Sequence, residues 1–280
     1  MEFVPHISDS AFLVNESRAR RSDLSGDGYA QHWVVHERRE RVRTLWNDFS
    51  SCVYPFDDIV LSIRNRFFLE RMQAFVDTHA DPAVVNLGAG FTSYPFLLDP
   101  SIRVLEVDFP HVVAYKQSRI KDLTRGGILP ARDIQFCGVD LTSPDDWTRL
   151  ELALAAAADG RPSFILMEGL TYYLDPASLN RIFDIILEHQ SIGSRVAFDY
   201  WPPELAPTPV FNRLRHFFET RLEHAPRDYN LLDEGYVRSR PGYTVAEHSN
   251  VVAEETRVLK TARLRPEEIL FEHYAILTRT

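Results

Sequence analysis

The sequence predicts an α/β protein of Rossmann-like architecture, with helices on both faces of a mostly parallel sheet. From residue 83 onward, short apolar runs alternate with amphipathic stretches. The runs that have the length and composition of buried strands are 83–87, 102–107, 134–139, 164–167 and 195–200. Alternation of such strands with helices is typical of β–α–β units, which need parallel strands.

Helices are predicted between these strands, near residues 111–123, 145–158 and 177–189. The second is preceded by Ser143-Pro144 and the third by Asp175-Pro176, which are helix-start signals with a capping side chain before a proline. The last third of the chain is less regular. A helix is expected at 210–221, followed by strands near 244–247 and 272–278 that close the sheet as an antiparallel pair.

The N-terminal region has a different texture. Residues 1–25 are polar and predict an irregular arm, whereas 29–49 and 57–78 follow a helical pattern with Pro55 between them. We therefore predict two parts. An N-terminal arm and helical lid occupies residues 1–55 and folds over the ligand, and a Rossmann-like domain occupies residues 56–280.

Composition excludes several classes of function. A net charge of −9 argues against a nucleic-acid partner, which requires clustered positive charge. No apolar stretch approaches the roughly 20 residues of a membrane span, no signal peptide is evident, and two isolated cysteines fit a reducing compartment, so we expect a cytoplasmic protein.

His32, His36 and Glu40 are spaced four apart, but no further ligand lies nearby, and we predict no metal site. The oligomeric state is not predicted.

A glycine turn and a carboxylate indicate a nucleoside ligand. Gly88-Ala89-Gly90 follows the first predicted strand, and Asp108 lies 20 positions after Gly88, at the end of the second. Glycines let the backbone approach a ligand closely, and a carboxylate at the tip of the second strand accepts hydrogen bonds from both ribose hydroxyls. The alternative interpretation is a tight turn without a ligand.

Two further features favour S-adenosylmethionine (SAM) over a dinucleotide. A dinucleotide site needs a third glycine three residues after Gly90, and that position is Ser93. SAM has no phosphate and does not need it. Carboxylates also follow the third and fourth strands, in Asp140-Leu141 and Glu168-Gly169, at the sheet edge where doubly wound folds bind ligands.

These stretches resemble the leucine carboxyl methyltransferase-like branch of the class I SAM-dependent methyltransferases. The similar segments are 84–90, 104–110, 140–141 and 168–174. The resemblance implies that Arg64 pairs with the SAM carboxylate. The family continues after the glycines with Asp-Thr-Arg, where this chain has Thr92-Ser93-Tyr94. This difference bears on the reaction more than on the cofactor.

The predicted site residues fall into two sets. We expect the cofactor to be bound by Arg64, Gly88, Gly90, Phe91, Thr92, Asp108, Asp140, Leu141 and Glu168. We expect the reaction to involve Glu168, Tyr94, Tyr172 and Tyr173, because a carboxylate can act as a base and aromatic faces attract a sulfonium cation. The alternative for the aromatics is an ordinary core position, and for Glu168 a helix cap.

The leading hypothesis is methyl transfer from SAM to a small molecule, at a carboxylate or hydroxyl oxygen. A carboxylate acceptor is already ionised and needs positioning more than a base. A second hypothesis is cyclisation of SAM itself to azetidine-2-carboxylate and methylthioadenosine, as in the azetidine-forming synthases of peptide-antibiotic pathways. Other hypotheses are a catalytically silent SAM-binding protein and a nicotinamide-dependent oxidoreductase. Ser93, in place of the third glycine, argues against the oxidoreductase.

Overall fold

Seven strands form one sheet in the computed structural model, which describes residues 5–222 and 228–280. They are β1 (Ala83–Leu87), β2 (Arg103–Asp108), β3 (Gln135–Gly138), β4 (Ser163–Met167), β5 (Arg195–Tyr200), β6 (Tyr243–Asn250) and β7 (His273–Arg279). Their spatial order is β3-β2-β1-β4-β5-β7-β6. The first five are parallel, and β7 runs antiparallel to both β5 and β6. The predicted fold class and the late antiparallel pair are confirmed.

The helices flank this sheet and precede it at the N-terminus. They are α1 (Pro5–Arg20), α2 (Ser22–Ser25), α3 (Arg39–Cys52), α4 (Asp57–Thr78), α5 (Tyr94–Leu97), α6 (Pro110–Arg125), α7 (Pro144–Ala158), α8 (Pro176–His189), α9 (Pro209–Arg221), α10 (Glu234–Arg238) and α11 (Val251–Leu259). No helix within residues 5–222 and 228–280 is long and apolar enough to cross a membrane.

The prediction of an irregular arm over residues 1–25 is wrong, because α1 and α2 occupy most of it. The polar side chains that suggested a loop are bonded inside the protein. Asn15 donates to the carbonyl of Ala30 at 3.0 Å, and the Ser17 hydroxyl donates to Asp57 at 2.5 Å. Phe12 is 1% exposed and belongs to an apolar cluster. Polar composition was therefore a poor guide, since buried polar groups need only satisfied hydrogen bonds.

The continuous helix expected over 29–49 is also wrong in its first half. The chain forms two short 3₁₀ turns, Ala30–His32 and His36–Arg38, with Val35 extended between them. His32 and His36 therefore do not share a helix with Glu40 of α3. In the described part of the chain, no group of three His, Cys, Asp or Glu side chains is arranged to hold a metal.

The two predicted helix caps differ in outcome. The Asp175 carboxylate accepts hydrogen bonds from the backbone N–H groups of Ala177 and Ser178, which confirms it as the cap of α8. Ser143 does lie at the cap position of α7, but its hydroxyl makes no bond to the helix, so the predicted serine cap is wrong. At this turn the Asp146 carboxylate accepts from the N–H of Asp140 at 2.8 Å.

Each face of the sheet has its own apolar layer. One layer packs against α4 and α9, and the other against α7 and α8. Side chains alternate between these layers along β5, since Ala197 belongs to the first and Phe198 to the second. By the same alternation Asp199 lies on the α4 side, within contact of Arg64.

The order of the strands fixes where a ligand can bind. The chain builds outward from β1 through β2 to β3, and then returns to place β4 on the other side of β1. In doubly wound sheets the loops after the two central strands diverge at such a point and leave a crevice at their carboxyl ends. The segments following β1 and β4 therefore line the expected binding site.

Candidate active site

A cleft of about 760 Å³ opens at this carboxyl edge of the sheet. The cleft is lined by all the residues predicted to bind the cofactor, which are Arg64, Gly88, Gly90, Phe91, Thr92, Asp108, Asp140, Leu141 and Glu168. Tyr172 and Tyr173 line it as well. The structure thus brings together segments that lie up to 109 positions apart, and their individual roles stay predictions.

The glycine turn is held against β2. The N–H groups of Gly88 and Ala89 both donate to the carbonyl of Val107, at 2.8 and 3.0 Å. Gly88 has φ +70°, and a Cβ there would lie 3.3 Å from the Leu170 side chain. A larger residue would therefore be strained and crowded at this position. The turn consequently presents bare backbone to the cleft.

Asp108 ends β2 with its carboxylate fixed by the backbone. One oxygen accepts from the N–H of Gly90 and the other from the N–H of Phe109, each at 2.7 Å. Burial raises the pKa of Asp108, whereas these two N–H donors act to lower it. Each carboxylate oxygen has a second acceptor site, so the side chain is suited to accept from a vicinal diol.

Asp140 and Leu141 form the wall after β3. One carboxylate oxygen of Asp140 accepts from the N–H of Thr142 at 2.9 Å and from its hydroxyl at 2.7 Å, which shapes the turn. Leu141 is 7% exposed and lies in the apolar layer on the α7 side. A polar edge beside an apolar surface is the combination that a flat heterocyclic base requires.

Thr92 and Ser93 complete the turn. The Thr92 hydroxyl donates to the Ala89 carbonyl at 2.9 Å and accepts from the Asn86 amide at 3.0 Å. Ser93 accepts from the indole of Trp33 at 2.8 Å, which ties the turn to the N-terminal region. These hydroxyls, which stand in place of the family's charged pair, therefore have structural partners.

Glu168 follows β4 and is held from two sides. One oxygen accepts from Nε of Arg64 at 3.1 Å and the other from the hydroxyl of Tyr94 at 2.6 Å. Tyr94 is 1% exposed and is not among the residues that line the cleft, and its role in the reaction stays a prediction. Burial and the charge of Glu168 raise the pKa of Tyr94 well above its usual value, which keeps it a neutral donor.

Arg64 pairs with three carboxylates, those of Glu168, Asp199 and Glu272. We call these four residues the acid cluster. Glu168 accepts from Nε, while Asp199 at 3.3 Å and Glu272 at 2.7 Å accept from Nη1. All four side chains are at most 3% exposed. Burial raises the pKa of Asp199 to about 6 and that of Glu272 to about 8, against the lowering effect of Arg64.

The sequence interpretation missed Asp199 and Glu272. Asp199 lies near the end of β5 and Glu272 comes directly before β7. An acid near the end of an apolar strand is the same signal that identified Asp108 and Glu168. Nothing in the sequence shows, however, that the antiparallel β7 brings Glu272 alongside β5 and hence beside Arg64.

Arg18 of α1 is a second residue that was missed. It is 2% exposed and lines the cleft, and its Nη2 donates to the carbonyl of Phe91 at 3.0 Å. Its Nε has no hydrogen-bond partner, and the nearest carboxylate, Asp27, is 3.9 Å away. A useful signal was the apolar run at 11–14, which marks a helix rather than an arm.

Aromatic rings form the remaining wall. Tyr172 stacks on Trp201 with ring centroids 3.8 Å apart and an interplanar angle of 3°. Tyr173 meets Tyr172 edge-on at 4.8 Å. The Tyr172 hydroxyl accepts from Nη1 of Arg64 at 3.5 Å, which places this ring directly beside the acid cluster.

The sequence model of a known family, described as leucine carboxyl methyltransferase, matches residues 14–187 of the 280-residue chain. The chain belongs to the leucine carboxyl methyltransferase family. The matched range contains Arg18, Arg64, the glycine turn and Glu168. It ends before Asp199 and Glu272, so half of the acid cluster lies outside the part that defines the family.

One similar protein comes from Mycobacterium ulcerans (strain Agy99) and is named as a candidate S-adenosyl-L-methionine-dependent methyltransferase. It is 32% identical over 144 residues, which are 51% of this chain and 44% of that protein. The matched segment of this chain therefore corresponds to less than half of that relative's length.

Solved structures share the fold. A candidate methyltransferase from Thermobifida fusca YX superposes with a TM-score of 0.63 at 17% identity, covering 99% of this chain and 95% of that one. A DUF574 family protein from Streptomyces avermitilis MA-4680 gives a TM-score of 0.64 at 15% identity, covering 97% of both chains. The likeness extends over the whole chain, including the N-terminal helices.

The residues in the cleft fit the cofactor that the family implies. SAM carries a ribose diol, an adenine ring, a carboxylate and a sulfonium. Asp108 offers acceptors for the diol, and Asp140 with Leu141 offers a polar edge and an apolar surface. The guanidinium groups of Arg18 and Arg64 offer positive charge for a carboxylate, and Tyr172 and Tyr173 offer ring faces for a cation.

Proposed function

We propose that this chain is a SAM-dependent methyltransferase that acts on a small molecule, at a carboxylate or hydroxyl oxygen. The proposal rests on the cleft, where Asp108, the bare glycine turn and the end of β4 meet at the carboxyl edge of the sheet. Family membership and the name of the mycobacterial relative support the choice of SAM as methyl donor.

In this proposal each part of the cofactor has its own residues. Asp108 accepts from the ribose hydroxyls, and Asp140 and Leu141 hold the adenine ring. The glycine turn allows close approach between these two positions because it carries no side chain at Gly88 or Gly90. The methionine portion then extends toward Arg64 and Glu168, which line the remaining part of the cleft.

We assign the cofactor carboxylate to Arg18 as well as to Arg64. The Nε and Nη1 groups of Arg64 already donate hydrogen bonds to three carboxylates. Arg18 is buried and lines the cleft, and its Nε makes no hydrogen bond, with the Asp27 carboxylate 3.9 Å away. A buried donor without a partner is costly, and a ligand carboxylate would satisfy it with a charge-assisted bond. In this way α1 both covers the cleft and contributes to binding.

The bound cofactor supplies an electrophilic methyl group on a positively charged sulphur. The chain itself supplies position and exclusion of water. Tyr172 and Tyr173 present aromatic faces to a cation, and Ala11 and Val14 of α1 form an apolar cover over the cleft. An oxygen already carrying charge, such as a carboxylate, then reacts when it is aligned and desolvated.

The polar groups of the cleft support an acceptor that needs no strong base. Asp108 and Glu168 each accept two hydrogen bonds from the protein, and Asp140 accepts two from Thr142. Such carboxylates are held as orienting groups. A hydroxyl acceptor would require one of them, most directly Glu168, to accept its proton as the methyl group is transferred.

Product analysis tests this function. The purified protein is incubated with SAM that carries a labelled methyl group, first alone and then with a panel of small carboxylic acids and hydroxyl compounds. We expect S-adenosylhomocysteine to form only when an acceptor is present, with the label in the acceptor. Methylthioadenosine formed from SAM alone would contradict methyl transfer.

The surplus of acids beside the cleft supports a second candidate function, cyclisation of SAM. The α-amino nitrogen would lose a proton to a carboxylate and bond to the γ-carbon, while the bond from that carbon to sulphur breaks with its electrons on sulphur. The products are azetidine-2-carboxylate and methylthioadenosine. Glu168 is the carboxylate of the acid cluster that lines the cleft, so it is the group placed to accept this proton.

A further inference from the structure

The acid cluster has more negative than positive groups. Three carboxylates, Glu168, Asp199 and Glu272, share the single guanidinium of Arg64, and all four side chains are at most 3% exposed. A buried ion pair needs its charges balanced locally, because water is not available to compensate them. With all three carboxylates ionised the cluster carries a net charge of −2, so a cation bound nearby would stabilise it.

Glu272 is the least satisfied member. Its Oε1 accepts from Arg64 at 2.7 Å, and its Oε2 is buried without a hydrogen-bond partner. The titratable groups that face it belong to several elements: Arg64 and Asp57 of α4, Asp199 of β5, Glu168 after β4, Tyr54 before α4, Tyr172 in the turn after β4, and Tyr274 of β7. Arg64 is the one cation in this set.

The cluster adjoins the cleft through its inner members. Arg64, Glu168, Gly169 and Tyr172 line the cleft, and Asp199 supports them from behind. The Asp199 carboxylate accepts from the N–H of Gly169 at 2.6 Å, which holds the chain at φ +67°. The negative charge of the cluster therefore lowers the electrostatic potential in the part of the cleft that we assign to the methionine portion of SAM.

We propose that the acid cluster makes the cleft discriminate between the sulfonium of SAM and the neutral sulphur of S-adenosylhomocysteine, with Glu272 as the residue that determines this preference. The inference rests on the proposed use of SAM. The sulfonium of SAM offsets part of the negative charge of the cluster, whereas the neutral sulphur of the demethylated product offsets none of it. The product is thereby released in favour of fresh SAM.

The proposal predicts a particular pH dependence. In the free protein Glu272 is mostly protonated at pH 7, since burial raises its pKa to about 8. A cation bound nearby favours the ionised carboxylate, so binding of SAM releases a proton and binding of S-adenosylhomocysteine does not. The preference for SAM therefore increases as the pH rises from 6.5 to 8.5.

Calorimetric titration of the full chain with SAM and with S-adenosylhomocysteine tests this. The ratio of the two affinities is measured between pH 6.5 and 8.5, in buffers of low and high ionisation enthalpy that reveal proton release. We expect the preference of the wild-type protein for SAM to increase about tenfold over this range, which corresponds to one pKa unit of coupling. In E272Q the preference stays nearly constant.

Two comparisons make the result decisive. Because E272Q is titrated with the same ligands, ionisation of the ligands themselves cancels. E254Q is the matched control, since Glu254 is also buried but pairs with Arg257 and Ser249 on α11 and β6, and it should behave as the wild type.

The possible failures are distinct. Wild-type protein that binds both ligands with a ratio independent of pH, or an E272Q ratio that rises as in the wild type, would overturn the inference and leave the proposed function standing. Wild-type protein that binds neither ligand would overturn both. The pH dependence of the wild-type affinity ratio is measured without a variant, so a folding defect in E272Q still leaves a result that can overturn the inference.

Discussion

The two carboxylate regions of the cleft are built in opposite ways. At the ribose edge, which comprises the turn 88–90 and Asp108, one carboxylate is bonded by two backbone N–H groups that lie within 18 positions of it. In the acid cluster, Arg64 is bonded by side chains that lie 104, 135 and 208 positions away. The first region is a local motif and the second is a product of the whole fold.

This difference predicts a division of labour. Backbone donors at the ribose edge hold a carboxylate ready for a ligand at little cost, because the turn exists without it. The acid cluster brings together charges that repel one another, so it reduces stability unless a cation or a proton compensates them. Binding affinity should therefore depend most on the ribose edge, and the response to pH on the acid cluster.

The largest expected effect is at the ribose edge. Replacing Asp108 by alanine removes two charge-assisted bonds to the ribose, and we expect the affinity for SAM to fall about a hundredfold or more by calorimetry. D140A is the control within the same cleft and should lose about tenfold at most, since its carboxylate is bonded to Thr142. Equal losses in both variants would break the distinction.

The next effect is on stability and concerns the acid cluster. Glu272 has a pKa of about 8 in the folded state, above the ordinary value of about 4.3 for an unfolded glutamate. The folded protein thus holds more protons than the unfolded chain between these values, and its free energy of unfolding falls as the pH rises. The E272Q variant lacks this titration.

Denaturant unfolding at several pH values measures that effect. Relative to the wild type, we expect E272Q to gain on the order of 1–3 kcal/mol of stability between pH 5 and pH 8.5. D199N is unsuitable as a partner variant, because Asp199 also holds the N–H of Gly169. A difference between E272Q and wild type that does not change with pH would show that Glu272 is ionised throughout this range.

A smaller effect distinguishes the contribution of the SAM carboxylate to binding from that of the nucleoside. We expect R18Q to bind SAM about tenfold more weakly but to bind methylthioadenosine, which has no carboxylate, as the wild type does. Arg20 lies on the same helix and pairs with Glu16 at the surface, so R20Q should change neither affinity. If R18Q bound both SAM and methylthioadenosine more weakly, the result would instead indicate that α1 is displaced.

The smallest effect concerns the turn that joins the cleft to the cluster. Gly169 and Gly193 both have positive φ, of +67° and +85°, but a Cβ at Gly169 would lie 3.3 Å from Arg64 and at Gly193 would meet nothing within 4 Å. Alanine should cost about 1 kcal/mol at Gly193 from the backbone alone. We expect G169A to cost about 1 kcal/mol more in thermal denaturation, and equal costs would mean that Arg64 moves aside freely.

The same contrast explains what could be predicted from the sequence. The strands, the glycine turn and Asp108 follow from local patterns, and β1 and β5 begin and end at the predicted residues. Glu272 depends on the pairing of β7 with β5, which no local pattern encodes. Tyr94 is predicted from its aromatic ring to lie beside the sulfonium, but the sequence does not show that its hydroxyl donates to Glu168. Arg18 was overlooked because buried polar residues gave α1 the composition of a loop.

A crystal structure of the protein with S-adenosylhomocysteine tests the central claim most directly. The account predicts the ribose hydroxyls within hydrogen-bond distance of Asp108, the adenine ring between Asp140 and Leu141, and the amino-acid portion beside Arg18 and Glu168. A nucleoside bound outside this cleft, or bound in it with the ribose turned away from Asp108, would contradict the account.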